Sequence, residues 1–396
     1  MSATAVGATL RAIFTAAVAA CDPAPAVTAA LGEATVRACW AGRRVWLAAV
    51  GKAAGAMAAG AVRALAGDGV RPVGGLVVVP DGTVVDEPLL AGAGLRLQRA
   101  GHPEPDPRSL VAGSELLAMA RGCAAGDVLL VLVSGGASAL ASAPAPGLTL
   151  EAKRTRIQAL VARGAAIAVV NQARRQLSAL KGGRLAAACG APVITLVVSD
   201  VPGDDPAVIG SGPTVPGRPG DLVRVVAGLG RLRREAAVAA GALGWAAVVD
   251  DHDLIGDVAD VAARAQAATA ALLAGAVWIA GGEWTVALGP APGRGGRARH
   301  LALVLAGGLA GDDDRVVLVA GSDGVDGTGP EAGAIVEGAT WGRLRTVGID
   351  PAAALAARDV GPALAAIGAS FGDGPTGVNH ADLVLVARRD RGPAAP

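Results

Sequence analysis

A glycine-rich turn follows one of the apolar runs of this sequence, and its residue types suit the binding of a phosphate group. The run over 128–133 leads into Ser134, Gly135 and Gly136, with Ser138 two residues later. Glycines at a strand-to-helix turn let backbone N–H groups point at an anion. A plain tight turn is the alternative, and for an isolated Ser-Gly-Gly it is the more common explanation. These four residues are therefore candidate phosphate ligands that need support from elsewhere in the chain.

The segment 171–184 is dense in cations, although the chain as a whole carries few charges. Lys181 and Arg184 flank a pair of glycines, an arrangement that suits contact with a polyanion. A solvated helix face is the alternative explanation for Arg174 and Arg175. Lys181 and Arg184 are the candidates here for binding phosphate or nucleotide.

Carboxylates come directly after another apolar run, at 193–199. Asp200 and Asp204 are candidate metal ligands, because Mg²⁺ favours one or two carboxylates together with substrate oxygens. Ser211, in a Gly-Ser-Gly-Pro-Thr segment a few residues later, is a further candidate phosphate ligand. Turn formation or helix capping is the alternative role for these acids, and we favour it for Asp205.

Similar glycine-rich segments occur in the second half of the chain: 281–283 and 321–327 each follow an apolar run, and 293–297 precedes an apolar, helix-like run. They place Arg297 and Asp323 on turns, where both are candidate catalytic residues. Each segment alone could be ordinary loop sequence, but their recurrence favours a shared anion site.

Lys52 follows the first apolar run, at 44–50, where a helix is predicted to begin. A lysine at that point can reach a phosphate or a carboxylate. The sequence contains no G-x-x-x-x-G-K-[ST], so nucleotide binding of the P-loop kind is excluded. Its G-x-G-x-x-G, at 372–377, contains Pro375 and precedes no clear helix, which makes it a poor dinucleotide fingerprint.

The elements that must position these residues alternate between strand and helix, which predicts an α/β fold with a mostly parallel sheet. Short β-branched runs predict strands at 44–50, 75–79, 127–133, 193–199, 277–280 and 316–320. Alanine-rich segments predict helices at 53–65, 109–121 and 258–274. A chain of 396 residues favours two domains. We place them at 1–235 and 236–396, because 216–221 is rich in proline and glycine and 222–253 has helical character.

Composition narrows the classes of partner. Lys and Arg number 35 against 34 Asp and Glu, so there is no basic excess for nucleic acid. The four cysteines and four histidines are dispersed, so neither a disulfide nor a zinc site is expected. Small molecules are the expected partners, and a homo-oligomer is left open.

The N-terminal segment is apolar but has the spacing of an amphipathic helix, with Leu10, Ile13, Phe14, Ala17 and Val18 on one face. A lipoprotein signal is the weaker alternative, because no basic region precedes it. No uninterrupted apolar run approaches membrane-spanning length, so we expect a cytoplasmic protein with no membrane partner.

The motifs together resemble the glycerate 2-kinase family, whose C-terminal half is known as the MOFRL domain. The matching segments follow the family's order along nearly the whole chain: A-V-G-K-A at 49–53, G-H-P-E-P-D at 101–106, V-S-G-G-A-S-A-L at 133–140, L-S-A-L-K-G-G-R-L-A at 177–186, S-D-V-P-G-D-D at 199–205, I-G-S-G-P-T at 209–214, G-G-E at 281–283, G-R-G-G-R at 293–297, S-D-G-V-D-G at 322–327 and G-P-T-G-V-N at 374–379.

The resemblance implies a Rossmann-like N-terminal domain, a smaller α/β C-terminal domain, and an active-site cleft between them. It implies transfer of the ATP γ-phosphoryl to the 2-hydroxyl of D-glycerate, with Mg²⁺ as cofactor and Lys52 and Arg297 as the principal catalytic cations. Asn379 joins the candidates for phosphate or nucleotide binding. Asp200 or Asp323 would orient the metal or accept the hydroxyl proton, and the two roles stay open between them.

Two departures from the family's pattern bear on substrate preference. The family usually continues Gly-Gly-Arg with Asn and Gln, whereas Ala298 and Arg299 follow here, and His300 comes next. Arg299 could add a phosphate or carboxylate contact of its own. After Asp326 the chain reads Gly-Thr-Gly-Pro-Glu, where the family often has Pro-Thr-Asp.

Two other functions stay open as alternatives. One is an NAD(P)H-dependent hydroxypyruvate reductase, which the poor dinucleotide fingerprint disfavours. The other is a non-catalytic sensor of a phosphorylated metabolite, which would bind tightly without turnover; the cluster of cations and acids makes catalysis the better explanation.

Overall fold

The computed structural model describes residues 1–165, 167–289, 293–372 and 374–390. Its helices are α1 (Ala3–Ala20), α2 (Pro23–Gly32), α3 (Ala34–Trp40), α4 (Ala54–Gly67), α5 (Glu87–Gly92), α6 (Pro107–Gly122), α7 (Ala137–Leu140), α8 (Leu150–Ala162), α9 (Ile167–Gln176), α10 (Arg184–Ala188), α11 (Leu229–Ala242), α12 (Val258–Thr269), α13 (Arg297–Gly308), α14 (Thr340–Thr346), α15 (Pro351–Ala356) and α16 (Val360–Ala366).

The strands in the described part of the chain are β1 (Arg44–Val50), β2 (Gly74–Pro80), β3 (Leu95–Ala100), β4 (Asp127–Ser134), β5 (Val193–Val198), β6 (Leu222–Ala227), β7 (Ala246–Val249), β8 (Leu254–Asp257), β9 (Ala276–Thr285), β10 (Arg315–Gly321), β11 (Gly333–Glu337), β12 (Ser370–Phe371) and β13 (Asp382–Arg388). The chain divides into two units. The parallel-sheet unit is Pro23–Ala227, and the mixed-sheet unit is Met1–Asp22 with Gly228–Pro396.

The parallel-sheet unit contains a six-stranded sheet in the order β3-β2-β1-β4-β5-β6, and every neighbouring pair is parallel. Alternate residues of β1 face opposite layers: Leu47 and Ala49 pack with α2 and α4, and Ala48 and Val50 pack with α6 and α10. Burial on both faces explains why these strands are continuous apolar runs. The strand order reverses between β1 and β4, and ligands of such sheets bind beyond the carboxyl ends of the strands at that point.

The mixed-sheet unit has a sheet in the order β12-β11-β10-β13-β9-β7, with β8 also paired to β9. Strand β13 runs antiparallel to both β9 and β10. One face is covered by α12 and α13, and the other by α1 and α11. As a result, the amino end of β13 lies at the same edge of the sheet as the carboxyl ends of β9 and β10.

Most of the predicted elements are confirmed. The strands expected at 44–50, 75–79, 127–133, 193–199, 277–280 and 316–320 all fall on observed strands. The helical interpretation of 222–253 is wrong at both ends, because 222–227 forms β6 and 246–249 forms β7. The helix expected at 258–274 ends at Thr269.

The division of the chain differs from the expected domains at 1–235 and 236–396. Residue 235 lies inside α11, which packs against α1 and β9, so the crossing between units occurs at Ala227 and Gly228. The first 22 residues belong with the mixed-sheet unit. Helix α1 is, in the part of the chain that the structure describes, the one helix whose length and composition would suffice to span a membrane. Its predicted apolar face is buried as expected, in the core of that unit.

Candidate functional site

The turn after β4 is tied to the turn after β1 at the point where the strand order reverses. The Lys52 backbone N–H donates to the Gly135 carbonyl at 2.8 Å, and the Ala53 N–H donates to Ser134 Oγ at 3.0 Å. Gly51 has φ +135°, and a Cβ there would overlap Ser134. Glycine is therefore required at position 51 for the two turns to approach this closely.

Three polar side chains that could take part in catalysis surround the Gly135-Gly136 turn. A Cβ on Gly135 would overlap the Asp200 carboxylate, and one on Gly136 would lie 2.9 Å from the His102 ring and 3.3 Å from Lys52 Cγ. Gly136 adopts φ +82° at the start of α7. The structure thus brings together Lys52, Asp200 and the glycine turn, which the sequence placed on three separate strand ends.

His102 joins this group, although the sequence argument did not select it. Its pKa is lowered, first by burial and then by the nearby Lys52 cation, while Asp200 acts in the opposite direction. The imidazole is therefore mostly neutral at pH 7 and can accept a proton. The segment G-H-P-E-P-D at 101–106 was the available signal.

Lys181 lies behind the same turn instead of on the surface. Its side chain is buried, and Nζ donates to the Ser138 carbonyl at 2.8 Å and to Ser138 Oγ at 2.6 Å. Ser138 Oγ lies 3.4 Å from Ser211 Oγ. Two of the predicted phosphate ligands, Ser138 and Ser211, are thus neighbours, and Lys181 is positioned to act on a ligand through Ser138.

Arg184 makes hydrogen bonds with the backbone of its own segment. Its Nη1 donates to the carbonyls of Arg175 at 2.8 Å and Lys181 at 2.9 Å, so the guanidinium holds the segment that carries Lys181. These contacts give it a positioning role in the structure, whereas the sequence suggested phosphate binding.

Only a small set of described side chains could coordinate a metal ion near the glycine turn. Within the described residues, no group of three or more His, Cys, Asp or Glu side chains could hold a metal ion. Asp200 lies against the glycine turn, and Asp204 lies in the short 3₁₀ turn Pro202–Asp204 with φ +48°. A carboxylate beside a glycine turn that could bind phosphate fits Mg²⁺, which takes most of its ligands from phosphates and water.

A cavity of about 490 Å³ lies in the mixed-sheet unit, in front of the amino end of α13. It is lined by three residues that the sequence selected, Arg297, Asp323 and Asn379, and also by Asp382 and His300. The volume suits a small organic ligand or part of a larger one.

Arg297 is held by two carboxylates. Its Nε lies 2.6 Å from Asp382 Oδ2, its Nη2 lies 3.3 Å from Asp382 Oδ1, and its Nη1 lies 2.6 Å from Glu283 Oε1. Burial raises the pKa of Asp382 to about 6, against the lowering effect of Arg297, and Asp326 and Asp323 raise it further. Burial acts to lower the pKa of Arg297, but the pairs with Asp382 and Glu283 outweigh it and raise that pKa. At neutral pH we therefore take both side chains of the pair as ionised. As the pH falls, the pair loses its charge balance when Asp382 becomes protonated.

Arg299 does not reach the cavity as a ligand. Its Nε lies 3.1 Å from Asp326 Oδ2 and its Nη1 lies 2.8 Å from Glu331 Oε2. Asp326 also accepts the backbone N–H groups of Ala298 and Arg299 at the first turn of α13. The two departures noted in the sequence, at 298–299 and after Asp326, therefore contact each other, and Arg299 is occupied by protein carboxylates.

His300 lines the cavity as a neutral ring. Burial and the neighbouring Arg358 lower its pKa to about 4. It can therefore exchange hydrogen bonds with a ligand without adding charge.

Known protein families match both parts of the chain. The chain matches a domain of unknown function, DUF4147, over residues 9–238 and the MOFRL family over residues 276–382. It is 34% identical to the D-glycerate 2-kinase of Thermotoga maritima, over 86% of this chain and 90% of the relative. It is 37% identical to an Agrobacterium vitis protein provisionally named a hydroxypyruvate reductase, over 94% of this chain and 92% of the relative.

A solved structure extends the likeness to the fold. The crystal structure of glycerate kinase from Thermotoga maritima has a TM-score of 0.85 at 29% identity, and the match covers 97% of this chain and 100% of that one. A Rossmann-type sheet with a glycine turn at its switch point, followed by a MOFRL unit, defines a class of two-unit α/β kinases. The chain belongs to the glycerate 2-kinase family.

Proposed function

We propose that this protein transfers the γ-phosphoryl group of ATP to the 2-hydroxyl of D-glycerate, with Mg²⁺ as cofactor, in the cytoplasm. The observation that carries the proposal is the assembly of Lys52, Asp200 and the Gly135-Gly136 turn at the switch point of a parallel sheet. The family to which the chain belongs supplies the substrate class.

The glycine turn is the proposed phosphate site. Backbone N–H groups of Ser134, Gly135 and Gly136 would donate to the phosphate, and Ser138 would add a hydroxyl that Lys181 orients. Phosphoryl transfer depends on positioning and electrostatic stabilisation, so fixed N–H donors and cations suffice for much of the catalysis. Lys52, which is exposed beside the turn, would neutralise charge that develops on the transferring group.

Mg²⁺ would be held by Asp200, with Asp204 as a second candidate, and would neutralise the phosphate oxygens. The metal needs few protein ligands there, because phosphate and water complete its coordination.

Arg297 is the proposed ligand of the glycerate carboxylate. Asp382 is almost fully buried and fixes the plane of the guanidinium, whereas Glu283 is half-exposed. A substrate carboxylate would replace Glu283 on Nη1, because a bidentate carboxylate pair is retained on the Asp382 side. Asn379 and Asp323 line the same cavity and would contact the hydroxyl groups.

The 2-hydroxyl must lose its proton as its oxygen bonds to phosphorus and the bond to ADP breaks. Asp200 and Asp323 are the candidates that the sequence offered. The neutral imidazole of His102, beside the glycine turn, is a third candidate. The variants His102→Gln, Asp200→Asn and Asp323→Asn separate these roles, because loss of the base lowers kcat without changing the KM for ATP.

A reductase that uses NAD(P)H is the second candidate, because the Agrobacterium vitis relative carries that name. The experiment is one incubation of purified protein with D-glycerate, ATP and Mg²⁺, and one with hydroxypyruvate and NADH. Glycerate-dependent formation of ADP supports the kinase. NADH oxidation without ADP formation supports the reductase instead of the kinase. Nucleotide binding without either reaction supports a sensor.

A further inference from the structure

Three cations lie close together inside the parallel-sheet unit. Lys153 on α8 and Lys181 after α9 are buried at 4% and 2% exposure, and Arg174 on α9 is half-buried. Arg174 acts electrostatically on both lysines, and Lys153 acts on Lys181. We call these three residues the buried cation cluster.

The cluster has hydrogen-bond partners but, in the part of the chain that the structure describes, no carboxylate partner. Lys153 Nζ donates to Ser142 Oγ at 2.8 Å, Lys181 Nζ donates to Ser138, and Arg174 Nη1 donates to Asn171 Oδ1 at 3.1 Å. Buried charges in proteins are normally paired with an opposite charge or neutralised. Without a counter-charge, holding these three groups protonated together is costly for the folded chain, and an anionic ligand would lower that cost.

The position of the cluster indicates how an anion would meet it. Lys181 donates to Ser138 Oγ, so the hydroxyl hydrogen of Ser138 points away from the lysine. Ser138 is half-buried and follows the glycine turn on α7. A phosphate bound by this hydroxyl and by Arg174 would lie in the field of both buried lysines.

We propose that Lys153, Arg174 and Lys181 form one binding site for a phosphate group, with Arg174 and Ser138 in contact and the two lysines behind them. The proposal rests on the proposed kinase function for its ligand, since either the nucleotide or free phosphate supplies this chemistry. It assigns a role to Lys153, which lies outside the sequence motifs, and to Arg174, for which a solvated helix face was the alternative. Burial, and then the neighbouring cations, lower the pKa values of both lysines, that of Lys153 to about 8.

The test compares Lys153→Met and Arg174→Gln with the control Arg156→Gln. Arg156 is an exposed cation on the same helix as Lys153, so the control removes one charge and leaves the cluster intact. Binding of inorganic pyrophosphate and of ADP to the full chain is measured by calorimetry at constant ionic strength, without metal. Thermal unfolding without ligand is measured in parallel.

We expect each cluster variant to weaken binding about tenfold or more, and the control to change it by less than about twofold. Without ligand, Lys153→Met should unfold at the same temperature as the parent or higher, because an uncompensated buried charge is gone. Loss of affinity for both probes identifies a general phosphate site. If the parent does not bind pyrophosphate and the variants lose affinity for ADP, the nucleotide is the source of the phosphate group that binds at the cluster.

Unchanged affinity in both cluster variants would overturn the proposal, as would a parent protein that binds neither probe. A strong drop in unfolding temperature with normal affinity would show that the lysines only support the fold. Turnover of the parent with glycerate is recorded separately. If the parent phosphorylates glycerate but the cluster variants bind both probes normally, only the proposal for the cluster is refuted. If binding depends on the cluster but the parent shows no turnover, only the kinase proposal is refuted.

Discussion

Replacement of Asp382 by asparagine removes the charged partner that orients Arg297 while keeping the size of the side chain. The pKa of Asp382 is raised to about 6, chiefly because the carboxyl group is buried. With that value the carboxylate is roughly one-tenth ionised at pH 5 and roughly nine-tenths ionised at pH 7. If Arg297 binds glycerate only when Asp382 is ionised, kcat/KM for glycerate should be about tenfold lower at pH 5 than on its plateau.

The assay follows ADP formation at limiting glycerate and saturating ATP and Mg²⁺ between pH 5 and 8. In Asp382→Asn the step near pH 6 should disappear, and the plateau should fall about tenfold or more because the charge-assisted pair with Arg297 is lost. Substrate groups titrate equally in both proteins, so the comparison isolates residue 382. The control Glu283→Gln removes the half-exposed partner of Arg297 and should keep the step.

The reasoning about Asp382 would be refuted by a parent profile that is flat from pH 5 to 7. It would also be refuted by an asparagine variant that keeps the same step. The stability of the protein gives an independent check. The folded-state pKa lies above the ordinary value of 3.8, so this group stabilises the fold at low pH and loses that effect as the pH rises through about 6. Asp382→Asn should lack that decline in unfolding experiments.

Three further predictions concern the two sites. Lys52→Ala should lower kcat about 100-fold or more with the fold intact by circular dichroism, and near-normal turnover would remove Lys52 from the mechanism. Gly135→Ala should abolish most turnover because its Cβ would displace Asp200, whereas Gly67→Ala, which meets open space, should be harmless in the same assay. Arg299→Gln should destabilise the protein by about 3 kcal/mol in denaturant unfolding, because it leaves a buried carboxylate unpaired. An effect below about 1 kcal/mol would contradict that buried pair.

The parallel-sheet unit could be predicted well because its strands are buried on both faces. Such strands are continuous apolar runs, and the residues that follow them meet at one edge of the sheet. Lys52, Ser134 and Asp200 were selected by this rule, and the structure brings them together. Strand β6 was missed because it lies at the edge of the sheet and four of its six residues are only partly buried.

The mixed-sheet unit was harder to predict because strand direction leaves no local mark in the sequence. Asp382 opens β13, and only the antiparallel pairing with β9 and β10 brings it to the edge where Arg297 lies. A search restricted to the carboxyl ends of strands could not select it. Likewise, the packing of α1 with residues more than 200 positions away has no counterpart in its own periodicity.

Burial also changed the roles that we assign to two cationic side chains. The sequence suggested that Lys181 binds phosphate and that Arg299 could add a phosphate or carboxylate contact. The structure shows Arg299 paired with Asp326 and Glu331, and Lys181 directed at Ser138. Residue type and spacing predicted where charge would gather, but the partner of each charge depends on three-dimensional contacts.

The central claim is phosphorylation of the 2-hydroxyl of glycerate, and phosphorus NMR of the reaction product tests it most directly. Purified protein is incubated with D-glycerate, ATP and Mg²⁺, and the product resonance is compared with authentic 2- and 3-phosphoglycerate. The account predicts 2-phosphoglycerate, formed in an amount equal to ADP. A 3-phosphoglycerate product, or ATP left unchanged, would contradict it.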